Sequence, residues 1–377
     1  EARKLEIIHE ELEGIVQEYG DERRTVITEG GESEDYFIEE KMADEEVAVT
    51  YTEQAFVKRI PMRLYKRRTN SGKPLTDMDD FEDDYVKKVF FTRTHDHLLA
   101  FTKEGRVHFV PVSEITEGKI NSRGKSLYAL TGGDRKDSIV SLVPAGDLKG
   151  NSFIVSVTTK GMVKKTAMAE YSHPRSGGII AGKLKSEDHI LDVQMTDGDC
   201  GIVLLTREGR SIRFSESEIS VVGRASLGVK GIGLKSGDSV VSMLVVRREG
   251  TVLCVAQDGS GKRINLGELP LRKRGGLGIA VLDREEGLLV SAMEVADGDR
   301  LSAVTNDGRD YIINIEDVPI QKRSEGARPL MNVVSDSEVT EVVFEHVGTR
   351  EQVEEEQVEE EQVEEEQVEE EQMNLLD

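Results

Sequence analysis

The side chains in this sequence that could do chemistry are cations set beside glycines, and they recur along the chain. Lys66-Arg67-Arg68 and Lys73 flank Gly72, Arg123 and Lys125 enclose Gly124, and Arg175 stands near Gly177. Arg224 precedes Gly228 and Lys230, Arg272-Lys273-Arg274 runs into Gly275-Gly276-Leu277-Gly278, and Arg323 stands near Gly326. Lys and Arg in such loops neutralise phosphates, while glycine lets backbone N–H groups approach them. Neither reads a base, so the chemistry on offer is largely sequence-independent binding of a polyanion. Enzyme motifs do not appear beside it. Gly275 to Gly278 lacks the Lys-Ser/Thr pair of a phosphate-cradling Walker loop, and no nucleophile stands beside a convincing base. His95-Asp96-His97 offers two imidazoles without a third ligand in view and reads as a turn between strands. Cys200 and Cys254 lie in apolar runs without CxxC or Cys/His companions, which predicts buried thiols rather than a disulfide or a zinc site.

These loops hang from a repeat. Six apolar runs, Val47 to Tyr51, Leu98 to Phe101, Phe153 to Val157, Ile202 to Leu205, Val252 to Val255 and Leu301 to Val304, each enter a turn. The turns close on Ala55, Gly105, Gly161, Gly209, Gly259 and Gly308, at intervals of 50, 56, 48, 50 and 49 residues. A second strand with early basic residues follows, so each unit starts as a hairpin with glycine supplying the positive φ. Nine residues past the turn comes an acid, Glu114, Glu170, Glu218, Glu268 and Asp317, with Leu64 in the first repeat. Five acids in phase indicate a capping or loop position, not five catalytic carboxylates. A unit of this size with several short strands cannot bury its own sheet. Six arranged radially give an all-β, six-bladed propeller-like disc, with an open stack as the alternative. The sequence holds no tryptophan, which disfavours a WD40 array. Rotation carries equivalent loops to one rim and makes a curved cationic track. The bland alternative is that the Arg-Gly pairs only solubilise hairpin tips. A protein-recognition propeller would show aromatic and apolar tips, whereas these read Arg, Lys, Gly and Ser.

The formal charge of −24 opposes a polyanion partner only until it is mapped. Residues 1–46 carry 17 acids against 5 bases, residues 351–377 carry 14 acids and no base, and 42 acids face 44 bases between them. The repeat region, residues 47–350, is therefore near neutral and can bind phosphate if its bases gather on one face. Within residues 1–20, Leu5, Ile8, Leu12, Ile15 and Tyr19 form a helical seam that stops at Gly20, and residues 21–46 read as an acidic linker. The tail at 351–377 repeats EQVEE. Its valines advance by about 140° per step, so no apolar stripe forms and a solvated segment or a lone charged helix is expected. No run of eighteen apolar residues and no charged-then-apolar leader occurs. Neither a membrane span nor a secretory signal is expected, and the cysteine usage fits a reducing cytoplasm.

Particular segments carry a resemblance. Glu10-Glu11-Leu12 through Tyr19-Gly20-Asp21-Glu22-Arg23-Arg24-Thr25 looks like the junction from coiled coil to C-terminal domain in DNA gyrase and topoisomerase IV A subunits. Thr94-His95-Asp96-His97-Leu98-Leu99 with Gly105-Arg106-Val107 is similar to that domain's second blade, and Thr159 to Thr166 and Gly228-Val229-Lys230-Gly231-Ile232 resemble other family segments. The resemblance spans most of the chain. It implies a β-pinwheel that bends duplex DNA round its rim and supports ATP-dependent supercoiling by a whole type II topoisomerase. It also implies no catalytic residue and no cofactor in this stretch, ATP and magnesium being used by the whole enzyme. The implied partners are duplex DNA and a gyrase B-type ATPase subunit, two A and two B subunits together, at the nucleoid in the bacterial cytoplasm. Gyrases carry a basic box, Gln-Arg/Lys-Arg-Gly-Gly-Arg/Lys-Gly, in the first repeat. Here Lys66 to Lys73 keeps the bases and loses the glycine pair, while Arg272 to Gly278 in the fifth repeat matches five of seven positions. The resemblance favours gyrase, with the decatenating topoisomerase IV as the alternative.

Overall fold

A computed structural model describes Arg3, His9 and residues 43–70, 84–119, 122–146, 148, 150–173, 175, 177–283, 287–334 and 336–345. Arg3 and His9 are helical. The rest of the expected helix at 1–20, the linker up to residue 42, Lys73 and the acidic tail lie outside the described residues.

Each apolar run forms the central strand of a sheet. Blade one is built from β1 (Glu46–Thr52), β2 (Phe56–Pro61) and β3 (Val86–Arg93), and blade two from β4 (His97–Thr102), β5 (Arg106–Pro111) and β7 (Ile139–Ala145). Blade three holds β8 (Phe153–Thr158), β9 (Met162–Ala167) and β11 (Ile190–Thr196), and blade four β12 (Gly201–Thr206), β13 (Arg210–Ser215) and β15 (Val240–Val246). Blade five holds β16 (Thr251–Ala256), β17 (Ser260–Asn265) and β19 (Leu289–Val295), and blade six β20 (Arg300–Thr305), β21 (Asp310–Asn314) and β24 (Val339–Phe344). In every blade the first strand pairs antiparallel with the second on one side and the third on the other. Central strands are covered on both faces, which is why they read as continuous apolar runs. The turn threonine fixes the hairpin: Thr52, Thr102, Thr158, Thr206 and Thr305 each accept at Oγ1 from the backbone N–H four residues on. Glycine takes positive φ at the turn in five repeats, and Ala55 takes it in the first, at φ 61°.

The sheets are completed across repeats. The two-residue strands β6 (Lys125–Ser126), β10 (Ile179–Ile180), β14 (Val229–Lys230), β18 (Ile279–Ala280) and β23 (Arg328–Pro329) each lie in one repeat and pair with the second strand of the blade before it. Hairpin patterning could not reveal this exchange, because a two-residue strand has no period. Apolar clusters fill the five consecutive seams. One, for example, joins Val155 and Val157 of blade three to Ile202, Leu204, Phe214 and Met243 of blade four. The third strands pack side by side round the disc, and β24 meets β3. There the Tyr85 hydroxyl donates to the Glu341 carboxylate, and Lys87 Nζ lies 2.7 Å from Glu341 Oε1. The ring is closed, and the open stack is set aside.

The first repeat differs. Its expected basic loop begins instead as helix α1 (Met62–Asn70), which sets Met62 and Tyr65 against Ala48 and Ile60, on the face of blade one turned away from blade two. A short helix α2 (Leu127–Thr131) follows the exchanged strand of repeat two. Cys254 on β16 and Cys200 just before β12 are both buried free thiols. His95 lies in the turn between β3 and β4, where Asp96 accepts from Thr92 and from the Arg93 backbone. No helix among the described residues is long and apolar enough to cross a membrane.

Candidate nucleic-acid interface

The repeated acid and the repeated basic loop are parts of one structure. In each of repeats two to six the acid falls within a short 3₁₀ turn after the second strand. Glu218 Oε2 accepts from the backbone N–H of Arg274 at 3.1 Å, and Glu268 Oε2 from that of Arg323 at 3.4 Å. In repeats four and five the acid thus caps the loop of the next repeat. Four of the loops contain a tight turn, in which Ser122, Gly178, Ser226 and Glu325 donate to the carbonyls of Lys119, Arg175, Gly223 and Lys322.

The structure separates the loop cations into two sets. Lys66, Arg67, Lys125, Arg175, Lys230, Arg272 and Lys273 are exposed. Arg123, Arg224, Arg274 and Arg323 are half-buried and engaged. Arg224, Arg274 and Arg323 each donate Nη1 to the carbonyl of the last residue of the preceding exchanged strand, Ile180, Lys230 and Ala280, at 3.2, 3.0 and 2.7 Å. Arg123 reaches Gln54, lies 3.5 Å from the Asp84 carboxylate, and stacks 4.0 Å above the Phe56 ring. These arginines staple neighbouring repeats together. Arg68 is half-buried on α1.

The loop glycines also face inward. A Cβ on Gly124, Gly178, Gly228 or Gly278 would sit 2.4 to 2.7 Å from a carbonyl oxygen on the preceding blade's second strand, so glycine is what lets the exchanged strand dock there. Gly275 donates its N–H to the Gly231 carbonyl, and the Gly276 carbonyl accepts from Gly233. From the sequence alone, the loop-glycine N–H groups are expected to face phosphates. In the structure the Gly275 N–H holds repeat five against repeat four.

Three cations that sequence reasoning passed over lie against the loops. Lys58, Lys164 and Lys262 occupy the third position of the second strand in blades one, three and five, and are 3, 6 and 2 % exposed. Burial pushes the ammonium of Lys58 down to about 8, and burial with the nearby Arg224 does the same to Lys164. The signal was present as early basic residues after each turn, but a strand lysine reads as solvated until its neighbours are known. The exposed apolar side chains of Val221, Leu227, Leu271, Leu277 and Ile320 were also missed, and in the sequence they lie within a few residues of the loop cations. Asp197, Cys200 and Glu216 meet in blade four. Glu216 is already paired with Lys165 at 3.1 Å and accepts from Thr196, while the Cys200 thiol donates to Asp197 and is pushed up to about 11, chiefly by burial.

Comparison with known proteins agrees with this architecture. A family model described as DNA gyrase C-terminal domain, beta-propeller, matches residues 96–145, 152–197, 202–247, 250–304 and 299–342. The DNA gyrase A protein of Salmonella typhimurium is 33 % identical over 340 residues, covering 89 % of this chain and 38 % of the relative. That of Clostridium acetobutylicum is 35 % identical over 357 residues, covering 94 % and 43 %. The chain thus spans about two fifths of the curated relatives it matches. Among solved structures, the C-terminal domain of DNA topoisomerase IV superposes with a TM-score of 0.72 at 27 % identity, covering 85 % of this chain and 98 % of that one. The C-terminal domain of DNA gyrase A, with a TM-score of 0.62 at 22 % identity over 80 % of this chain and 99 % of that one, shares the fold.

Proposed function

Since the chain belongs to the DNA gyrase C-terminal β-propeller domain family, we propose that it binds duplex DNA and bends it round the rim of the disc. The observation that carries this reading is the recurrence of exposed cations on successive repeats of a closed ring, Lys125, Arg175, Lys230 and the Arg272-Lys273 pair. A duplex following that rim meets charge at each repeat without any base being read. The chain is a non-catalytic module, and it supports supercoiling by a larger bacterial enzyme, in which a B-type ATPase partner using ATP and magnesium joins the remainder of the gyrase A protein. The domain limits are those of the sequence: helix at 1–20, linker at 21–46, DNA-wrapping disc at 47–350 and acidic tail at 351–377.

The test is topological. The chain is incubated with nicked circular plasmid, the nick is sealed by ligase, and the topoisomers are resolved on a gel. Wrapping shifts the linking number in proportion to bound protein, whereas tight binding without a shift would overturn wrapping and leave binding. A small shift beside good binding would favour a decatenating topoisomerase IV role. The exposed Leu271 and Leu277, 65 and 55 % accessible, favour a second reading as a protein-docking rim. Retention of a protein partner at high salt, with no duplex binding at low salt, would select it.

A further inference from the structure

Every blade from one to five sends one cation from its second strand to the loop of the following repeat, and the kind of cation alternates. Lys58 Nζ donates to the carbonyls of Lys119 and Ser122, at 3.3 and 2.7 Å. Lys164 Nζ reaches the carbonyls of Ala181 and Arg224, and Lys262 Nζ those of Arg323 and Glu325, the last at 2.5 Å. At this third position blade two has His108 and blade four has Ile212. In those two blades the cation moves to the first position. Arg106 Nη2 donates to the Gly177 carbonyl at 2.8 Å, and Arg210 donates Nε to Leu277 and Nη2 to Gly278, at 2.7 and 2.9 Å. Where the third position is lysine, the first is Phe56, Met162 or Ser260.

Ile212 shows that the fold itself accepts an aliphatic side chain at the third position. A buried ammonium is costly unless its hydrogen bonds are supplied, so its placement at Lys58, Lys164 and Lys262 calls for a return. The contacts supply one. All three reach main-chain carbonyls of a loop that carries an exposed cation on its exchanged strand, Lys125, Lys230 and Arg328 respectively. The first two belong to the set of rim cations described above. Main-chain carbonyls are what must be held if a loop is to keep one shape while its side chains remain free to meet phosphate.

We propose that Lys58, Lys164 and Lys262 are positioning residues of the DNA rim, each holding the backbone of the next repeat's basic loop, with Arg106 and Arg210 doing the same in the alternate blades. This rests on the DNA-binding reading above and deepens it. The lysines touch no DNA; they fix where Lys125, Lys230 and Arg328 stand, and so how many phosphates the rim engages at once.

The test is equilibrium binding of the full chain to a fluorescein-labelled linear duplex, followed by anisotropy near 100 mM salt. The variants are Lys164→Met, Lys164→Arg, Lys230→Ala, Lys125→Ala and the doubles of Lys164→Met with each alanine. A loop cation that is no longer held costs about one phosphate contact, so Lys164→Met should weaken binding about five- to tenfold at this salt. Its double with Lys230→Ala should bind no worse than the weaker single, because both remove the same contact. Its double with Lys125→Ala, whose loop hangs from another blade, should lose the product of the two factors. Lys164→Arg should recover most of the loss. A role confined to folding would lower the melting temperature without this loop-specific coupling or rescue. Wild-type affinity in Lys164→Met, or losses that multiply equally with both partners, overturns the proposal. If Lys164→Met fails to fold, the half-exposed Arg210→Gln with Lys273→Ala makes the same cycle in the next blade, read by the same criterion. A wild-type chain that binds no duplex removes the DNA-binding reading itself, and the positioning role with it.

Discussion

Duplex binding by this rim should fall steeply with salt, and the structure sets how steeply. Of the loop cations proposed for DNA, Arg123, Arg224, Arg274 and Arg323 are engaged between repeats, Arg68 is half-buried on α1, Lys73 lies outside the described residues, and Lys66, Arg67, Lys125, Arg175, Lys230, Arg272 and Lys273 have exposed side chains. Each phosphate neutralised contributes about −0.9 to the slope of log K against log salt, so full engagement gives a slope of about −6. Raising salt fourfold, from about 50 to about 200 mM, then lowers the association constant roughly 4,000-fold. Replacing Arg272 and Lys273 with alanine removes two contacts and should bring the slope to about −4.5. Because phosphates carry no sequence, the same double variant should lose affinity by one common factor on duplexes of different sequence. Anisotropy titrations of two unrelated labelled duplexes, repeated across that salt range, measure both quantities. A slope shallower than about −2 refutes the rim model. So does a slope that the double substitution leaves unchanged, and a loss confined to one duplex would mean base readout.

Four further outcomes are expected. Gly278→Ala, at φ +67° with its Cβ 2.4 Å from the Ser211 carbonyl, should lower stability by about 3 kcal/mol in urea unfolding; Gly276→Ala, whose nearest neighbour is 3.8 Å away, should be near neutral, and equal costs would refute the packing account. Glu216→Gln leaves Lys165 buried without its carboxylate 3.1 Å away and should cost about 3 kcal/mol, a loss absent if solvent already screens the pair. Lys58 and Lys164 titrate near 8 in the folded chain against a usual 10.5, so the unfolded chain holds more protons between those values and stability must rise with pH there, by roughly 1.4 kcal/mol per pH unit per lysine; urea midpoints at pH 8 and pH 10, wild type against Lys58→Met/Lys164→Met, should diverge, and parallel midpoints would contradict the burial argument. Removing residues 351–377, with their 14 acids, should tighten duplex binding more at low ionic strength than at high, since a tethered polyanion competes at an effective concentration on the order of millimolar; equal affinities at low salt would sink that competition while leaving the wrapping assignment untouched.

The repeat was legible because its marks are short-range. The turn threonine, the turn glycine and the two-sided apolar strand are set by local hydrogen bonding and burial, so Leu98 to Phe101 in the sequence became His97–Thr102 in the structure with one residue added at each end. What could not be read is where a side chain's partner sits in the next repeat. Arg224 and Arg323 look like the exposed Arg175 in a linear reading, yet their guanidinium groups close on Ile180 and Ala280, 44 and 43 residues back. Lys164 likewise looks like any strand lysine until Arg224 is brought over it. The exception in the first repeat has a local cause: Met62-Arg63-Leu64-Tyr65 puts Met62 and Tyr65 on one helical face, and Leu64 stands where repeats four and five have the acid that caps the following loop.

The exchange of strands runs one way round the disc, and that direction makes one seam unlike the others. Blades one to five each receive a strand from the repeat after them, while blade six, within the described residues, is a three-stranded sheet of β21, β20 and β24. Five seams are filled by clusters of ten or more buried apolar side chains, and burying each such side chain is worth about 1.5 to 3 kcal/mol. Between blades six and one the contacts described are of another kind, Tyr85 and Lys87 on Glu341, and Lys87 is also held 2.7 Å from Glu53 within blade one. The face of blade one that would supply an apolar half of that seam, Ala48 and Ile60, is covered by Met62 and Tyr65 of α1 instead. Partly exposed ion pairs contribute at most about 1 kcal/mol each and weaken with salt. Among the described residues the ring is therefore closed by polar contacts at one place and by packed apolar surface at five, and a duplex that wraps the rim as proposed must cross that polar junction.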